Sequence, residues 1–303
     1  MPGTHSYTQD QRNSSIFIYV NGEIFPRKDA KISVFDSGFL LGDGVWEGIR
    51  LHNGNLCFIE EHLRRLYHGA EKLKIDIGRP KEELEKTIYE TVEKNEMHSH
   101  VHIRLIISRG MKKTPYQHPN ANVGGATVVI IPEFKKADKV MLERGIRLCL
   151  VNTMRGPQNM QDPRLNTLSK LNCIFGCLEA DEKGYDEGIM LDPKGYVSTC
   201  NSTNLFMVKD GEVWTSTGEY CLPGITRANI IQLCRDNNIA IFEKNYSIEE
   251  MYTADEVFVT GTFAGVIPVV EVDEKIIGEG KRRKITDHLY FLYKEKITTL
   301  YGG

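Results

Sequence analysis

From Ile16 to Arg50 the chain alternates short apolar runs with turn signals, as in "IFIYVNGEIF", "KISVFDSGFLLGDGVWEGIRL" and, just beyond, "HNGNLCF". Asn21-Gly22 and Asn53-Gly54 fall between such runs. Asn-Gly accepts the positive φ angles of a tight turn, so both predict hairpins. The apolar period then lengthens: Leu63, Leu66, Ala70 and Leu73 share one face of a helix predicted over residues 59–73. A second helix is expected over 81–94, then strands in "VHIRLIIS" and "GGATVVIIPEF". The second half opens with the strand "IRLCLVN" and a polar loop over 153–167, followed by a helix over 168–182. Next come two strands about Pro193-Lys194-Gly195, a hairpin at Asp210-Gly211, a helix over 225–237 and the strand "EVFVTGT". Strands and helices mixed without regular alternation predict an α+β protein rather than a doubly wound sheet. The expected divisions are a flexible tail over 1–15, a small α+β domain over 16–135, a linker over 136–145 ("KKADKVMLERG" and its edges), and a large α+β domain over 146–303.

Composition changes this picture little. With 303 residues, 41% hydrophobic and 26% charged, the chain has enough apolar material for one or two cores. A net charge of −3 without long basic blocks argues against nucleic-acid binding. The one dense basic run, Lys281 to Lys284, reads as a solvated helix start. No apolar run approaches the ~20 residues that span a bilayer, and the opening "MPGTHSYTQDQRNSS" is polar, so a cytoplasmic protein without membrane contact is expected. Seven cysteines without a C-x-x-C pair read as reduced, mostly packed thiols.

Four features carry candidate chemistry. Lys170, in "RLNTLSKLN", brings an amine to the start of an apolar helix. "LPGITRANIIQL" puts Pro223 and Gly224 before a helix whose first turn holds Ile225, Thr226 and Arg227, where free N–H groups and the helix dipole favour an anion. "VTGTFAGV", Val259 to Val266, is a second loop able to turn N–H groups inward. Arg65, on the helix "EEHLRRLYHGA", is a candidate bidentate phosphate clamp. Amine, phosphate cradle and arginine together suggest pyridoxal phosphate, which a lysine carries as a Schiff base. His98, His100 and His102 lie at spacing two, but no Asp or Cys joins them, so no metal is expected.

The stretches "VNGEIFPRKDAKISVFDSGFLLGDGVWEGIR", "EEHLRRL", "VSTCNSTNLF", "CLPGITR" and "VFVTGTFAGVIPV" resemble, in this order, the fold-type IV pyridoxal-phosphate enzymes. That family includes branched-chain aminotransferases, D-amino-acid aminotransferases and aminodeoxychorismate lyases, and the likeness covers about residues 16–275. The resemblance implies a two-domain α+β fold like that of D-amino-acid aminotransferase, with the cofactor between the domains. It also implies a homodimer whose partner completes the pocket. By match of motif, Arg65, Ile225, Thr226 and Thr262 would hold the cofactor phosphate and Leu222 would pack on its ring. Trp46 stands where the family places a pocket-lining Phe or Tyr, and Phe263 joins it in an apolar lining. Arg104, in "HIRL", resembles an arginine that some branched-chain members use to recognise a carboxylate.

Three positions depart from the family. Without gaps, the Schiff-base lysine falls on Asn166, and Lys170 comes four residues later, where many members carry a tyrosine; a four-residue gap restores Lys170 as the family lysine. On a helix the two positions would share a face. Thr199 replaces the glutamate that protonates the pyridine nitrogen, leaving a hydroxyl able to donate to a neutral ring. Phe175, or Lys170 itself, takes the place of a cofactor-contacting tyrosine. The expected activity is amino transfer between an amino acid, branched-chain-like, and a 2-oxo acid, with Lys170 as the catalytic amine. The alternatives are a fold-type IV lyase, or a member whose cofactor chemistry is lost or altered.

Overall fold

A computed structural model describes residue 4 and residues 7–302. Its contacts divide the described residues into two units: a smaller one of Thr8–Lys136 and Leu165–Lys170 with residues 301–302, and a larger one of Ala137–Arg164 and Leu171–Leu300 with residues 4 and 7. Leu165–Lys170 thus belongs to the smaller unit, although the sequence places it well inside the second half.

The smaller unit is built on an antiparallel sheet of six strands, in the order Glu23–Pro26, Phe17–Val20, Thr127–Phe134, Val101–Ser108, Gly44–His52 and Asn55–Leu56. Both Asn-Gly turns form hairpins, and Asn21 and Asn53 adopt positive φ. Helices Ile59–Lys72 and Lys81–Lys94 bring Leu63, Leu66, Leu84 and Ile88 onto a core with Val45, Ile49, Leu51, Ile103 and Leu105 from the sheet. Strand side chains alternate, so Trp46, Arg50, His52, His102 and Arg104 take the opposite parity.

The larger unit carries a mixed sheet of nine strands. Its path runs Val197–Cys200, Glu187–Leu191, Ile146–Leu150, Gly265–Val272, Glu256–Gly261, Asn204–Lys209, Glu212–Thr215 and Ile241–Glu243, and Lys275–Ile276 pairs with Gly265–Val272. Ile146–Leu150 runs parallel to both neighbours. Helix Ile225–Asp236 buries Ile230, Ile231 and Cys234 with Phe206 and Phe258 of the sheet. Helices and sheets segregate as an α+β fold.

In three places the structure adds to or shifts the local elements expected. The segment expected as a linker contains the helix Lys139–Arg144, capped by Asp138 and anchored by the buried Met141. The expected flexible tail is ordered over 11–14 as a short 3₁₀ turn, where Asn13 exchanges hydrogen bonds with the Phe134 backbone; residues 1–3, 5 and 6 lie outside the described residues. The helix expected from Leu168 begins at Leu171. His98 and His100 precede the Val101–Ser108 strand, so the three histidines do not line one strand face. Among the described residues no group of His, Cys, Asp and Glu is arranged to hold a metal, and no helix is long and apolar enough to cross a membrane.

Candidate active site

The parity of the Gly44–His52 strand that sends Val45, Ile49 and Leu51 into the core also sends in Glu47. A buried carboxylate requires compensation. Helix Ile59–Lys72 supplies it: Arg65 donates from Nε to Oε1 at 2.8 Å and from Nη2 to Oε2 at 2.7 Å, and His62 Nδ1 lies 2.7 Å from Oε2. Burial pushes the Glu47 carboxyl up, but the charge and hydrogen bonds of Arg65, followed by those of His62, hold it below the usual carboxylate range. The edge of the guanidinium formed by Nε and Nη2 is therefore committed to Glu47, so Arg65 is not a clamp with its whole fork turned to a ligand.

On the other parity of the same strand, Trp46 organises three further groups. Its N–H donates to the Asn166 carbonyl at 3.0 Å, the Asn166 Nδ2 donates back to the Trp46 carbonyl at 2.7 Å, and the indole Nε1 donates to the Thr167 carbonyl at 3.1 Å. Leu168 N–H continues the pairing to the Gly44 carbonyl at 2.9 Å. Gly44 is needed there, since a Cβ would lie 2.4 Å from the Ile107 oxygen and 2.6 Å from Leu168 Cδ1. Asn166 and Lys170 thus lie on a non-helical segment bridged to the strand at Thr167, and the helical argument for their shared face fails. Their side chains meet all the same: Lys170 Nζ donates to Asn166 Oδ1 at 3.1 Å. Lys170 Nζ is 5.4 Å from the Trp46 ring centroid, and the Arg104 guanidinium carbon is 3.7 Å from it. Burial, the larger influence, lowers the pKa of Arg104, while Glu133 and Glu47 act in the opposite direction.

The remaining candidates lie in the larger unit. Helix Ile225–Asp236 starts at Gly224 with no side-chain cap, and Ile225 and Thr226 of its first turn are buried. Gly224 tolerates no side chain, because a Cβ would fall 2.0 Å from Asn204 Oδ1. Asn204 in turn donates to the Leu222 carbonyl at 3.0 Å. Thr262 and the buried Phe263 follow the end of the Glu256–Gly261 strand. Thr199 donates its hydroxyl to the Thr203 carbonyl at 2.7 Å, which engages the proton that the sequence offers to a ring nitrogen. Beside it, the buried Glu187 accepts from Ser202 at 2.5 Å, from Thr203 at 2.7 Å and from Thr4. Burial raises the Glu187 carboxyl above its ordinary value, and these hydroxyls pull it partly back. Phe175 is half exposed on its helix.

The smaller unit therefore collects Trp46, Arg65, Arg104 and Lys170, while Thr199, Leu222, Ile225, Thr226, Thr262 and Phe263 belong to the larger. Sequence reasoning missed Glu47, His62 and Glu187. Glu47 leaves a signal, since an acid at the buried parity of an apolar strand needs a partner. Glu187 leaves none of that kind, because its partners are hydroxyls from distant residues.

This fold, an antiparallel α+β unit and a mixed-sheet unit, is that of fold-type IV branched-chain aminotransferases. The crystal structure of the Escherichia coli branched-chain amino acid aminotransferase superposes with a TM-score of 0.87 at 31% identity, covering 93% of this chain and 94% of that one. The branched-chain aminotransferase from the thermophilic archaeon Thermoproteus uzoniensis, solved with norvaline, gives 0.84 at 29% identity, covering 93% and 94%. The class IV aminotransferase family model matches residues 44–272, and the chain belongs to that family. Branched-chain-amino-acid aminotransferase-like protein 1 of Arabidopsis thaliana is 40% identical over 285 residues, 93% of this chain. The chain spans about half of that relative, 51% of its length.

Proposed function

We propose that the chain is a pyridoxal-phosphate-dependent aminotransferase that moves an amino group between a branched-chain-like amino acid and a 2-oxo acid, with Lys170 as its reactive amine. The observation that carries this reading is the Lys170–Asn166–Trp46 arrangement. In it the lysine amine bonds to the side chain of Asn166, which by match of motif stands at the family's lysine position four residues earlier. The residues of the larger unit suit a phosphate ester: the uncapped first turn at Gly224, the buried Thr226 and the loop at Thr262 offer N–H and hydroxyl donors to an anion. By match of motif, Arg65 of the smaller unit is a further candidate cofactor-phosphate residue.

Pyridoxal phosphate, when bound, supplies the electron sink for the pair left at the substrate Cα. Lys170 Nζ takes the Cα proton and returns it on the other side of the exchange. Arg104 binds the substrate carboxylate beside Trp46, and by match of motif Phe263 contributes apolar lining. By match of motif, Leu222 would pack on the cofactor ring. Thr199 provides no acid to the ring nitrogen, so turnover is slower than with a glutamate there. The chain works as a cytoplasmic homodimer; Leu171, Ile174, Phe175 and Leu178 on one helix, and Val34, Phe35 and Phe39 on the smaller unit, present apolar surface to a second copy.

Adding pyridoxal phosphate produces an absorbance band that borohydride bleaches, and peptide mass analysis finds the reduced adduct on Lys170. An adduct on another lysine, or a spectrum of free cofactor, would falsify the reading. Thr199→Glu raises the transamination rate; a folded, cofactor-loaded variant that is slower shows the account of Thr199 to be wrong. Light scattering gives twice the chain mass if the dimer forms.

A further inference from the structure

Two cations of the smaller unit share one indole. Arg104 stacks on Trp46 at 3.7 Å and makes, among the described residues, no hydrogen bond or ion pair. The contrast with Arg65, whose guanidinium edge fits the Glu47 carboxylate at 2.7 and 2.8 Å, is internal to the same unit. A planar guanidinium fixed by stacking, with its donors left over, is a receptor for a planar carboxylate. Lys170 Nζ lies 5.4 Å from the same ring and is held by Asn166 Oδ1 at 3.1 Å. Asn166 is itself fixed by its bond to the Trp46 carbonyl at 2.7 Å, so amine and guanidinium are referred to one rigid residue.

We propose that Lys170 condenses directly with a 2-oxo acid, without any cofactor, while Arg104 holds the adjacent carboxylate. In the step, the Nζ lone pair attacks the C2 carbonyl carbon and forms a C–N bond. The resulting carbinolamine then loses its oxygen as water, which carries off both amine hydrogens and leaves a C=N bond. No oxidant or reductant is needed. Ordinary bond and hydrogen-bond lengths put about 6 Å between a lysine nitrogen and a guanidinium carbon gripping the two ends of such a molecule. Two groups at 5.4 and 3.7 Å from one ring centroid accommodate that span. Asn166 Oδ1 accepts one N–H of the amine, and the condensation uses the lone pair of the amine's neutral form. The ligand class follows from the pairing: an aldehyde or ketone lacks the carboxylate, and a simple carboxylic acid lacks the carbonyl.

This proposal draws only on the smaller unit and does not require the cofactor reading above. Its test uses the whole chain, freed of pyridoxal phosphate by dialysis against hydroxylamine and incubated with pyruvate and cyanoborohydride, followed by peptide mass analysis. The expected result is an adduct concentrated on Lys170, absent in Lys170→Arg, and reduced roughly tenfold or more in Arg104→Gln. Acetone labels Lys170 no faster than surface lysines, and propionate slows the labelling by pyruvate. No adduct on Lys170, labelling spread evenly over the lysines, equal labelling by acetone, or an undiminished rate in folded Arg104→Gln overturns the proposal. Should Arg104→Gln fail to fold, propionate competition on the unaltered chain decides, and its failure to compete is equally fatal. Trapping of pyridoxal phosphate on Lys170 without trapping of pyruvate sinks this inference alone; the reverse sinks the reading above and leaves this one standing.

Discussion

Two arginines of the smaller unit meet the same requirement in opposite ways. Arg65 is part of an ion-pair network: Glu47 takes one edge of its guanidinium and His62 shares the carboxylate, with Glu47 and His62 essentially dry. Arg104 has an aromatic face instead of an acid. A buried ion pair broken on one side leaves a stranded charge, whereas a stacked arginine can lose its charge without stranding anything. The first arrangement is costly to disturb; the second is cheap to disturb, as the ligand-binding role proposed for Arg104 requires.

The sharpest way to break this comparison is Glu47→Leu. It strands Arg65 and His62 and is expected to cost about 3–5 kcal/mol in urea unfolding; a loss near zero would erase the distinction. The same carboxylate gives a pH signature. Because its folded pKa is held below the ordinary value, its stabilisation is fully present above the usual carboxylate range and is lost as pH falls through the lowered value. Acid titration of stability should therefore flatten in Glu47→Leu. In the larger unit, Gly224→Ala forces a Cβ against Asn204 and should cost about 1–3 kcal/mol, read as a lowered thermal midpoint. Arg104→Leu should change stability by less than about 1 kcal/mol while weakening carboxylate binding; a cost as large as that of Glu47→Leu would make Arg104 structural. The smallest effect belongs to the exposed Arg64–Glu60 pair, where Arg64→Ala should cost about 0.3–0.5 kcal/mol.

Much of the smaller unit is legible in its text. Its turns are Asn-Gly, its helix stripe runs from Leu63 to Leu73, and both properties are local. The placement of Lys170 is not local. Residues 166–168 leave the second half of the chain and pair with a strand laid down 120 residues earlier, and neither propensity nor period records that pairing. The sequence puts Asn166 in a polar loop and Lys170 at a helix start, and a non-helical segment bridged at Thr167 brings their side chains together instead. Thr199 illustrates a different limit. Its identity announces the loss of a carboxylate, but only the turn to Thr203 shows where its proton goes. Helix Lys139–Arg144 is hidden by its charged composition and packs through the buried Met141 with the partly buried Leu142.

The chain contains two tryptophans, and each unit has one: Trp46 in the smaller, Trp214 in the larger. Trp46 touches Arg104 and lies near the Lys170 amine, whereas Trp214 sits under Lys244 at 3.3 Å, beside Tyr246. The molecule thus carries its own pair of optical labels. With Trp214→Phe, the remaining emission reports on whatever displaces or neutralises the cations around Trp46; with Trp46→Phe, it reports on the integrity of the larger sheet. Ligand capture and unfolding can then be watched separately in one polypeptide, without an added dye.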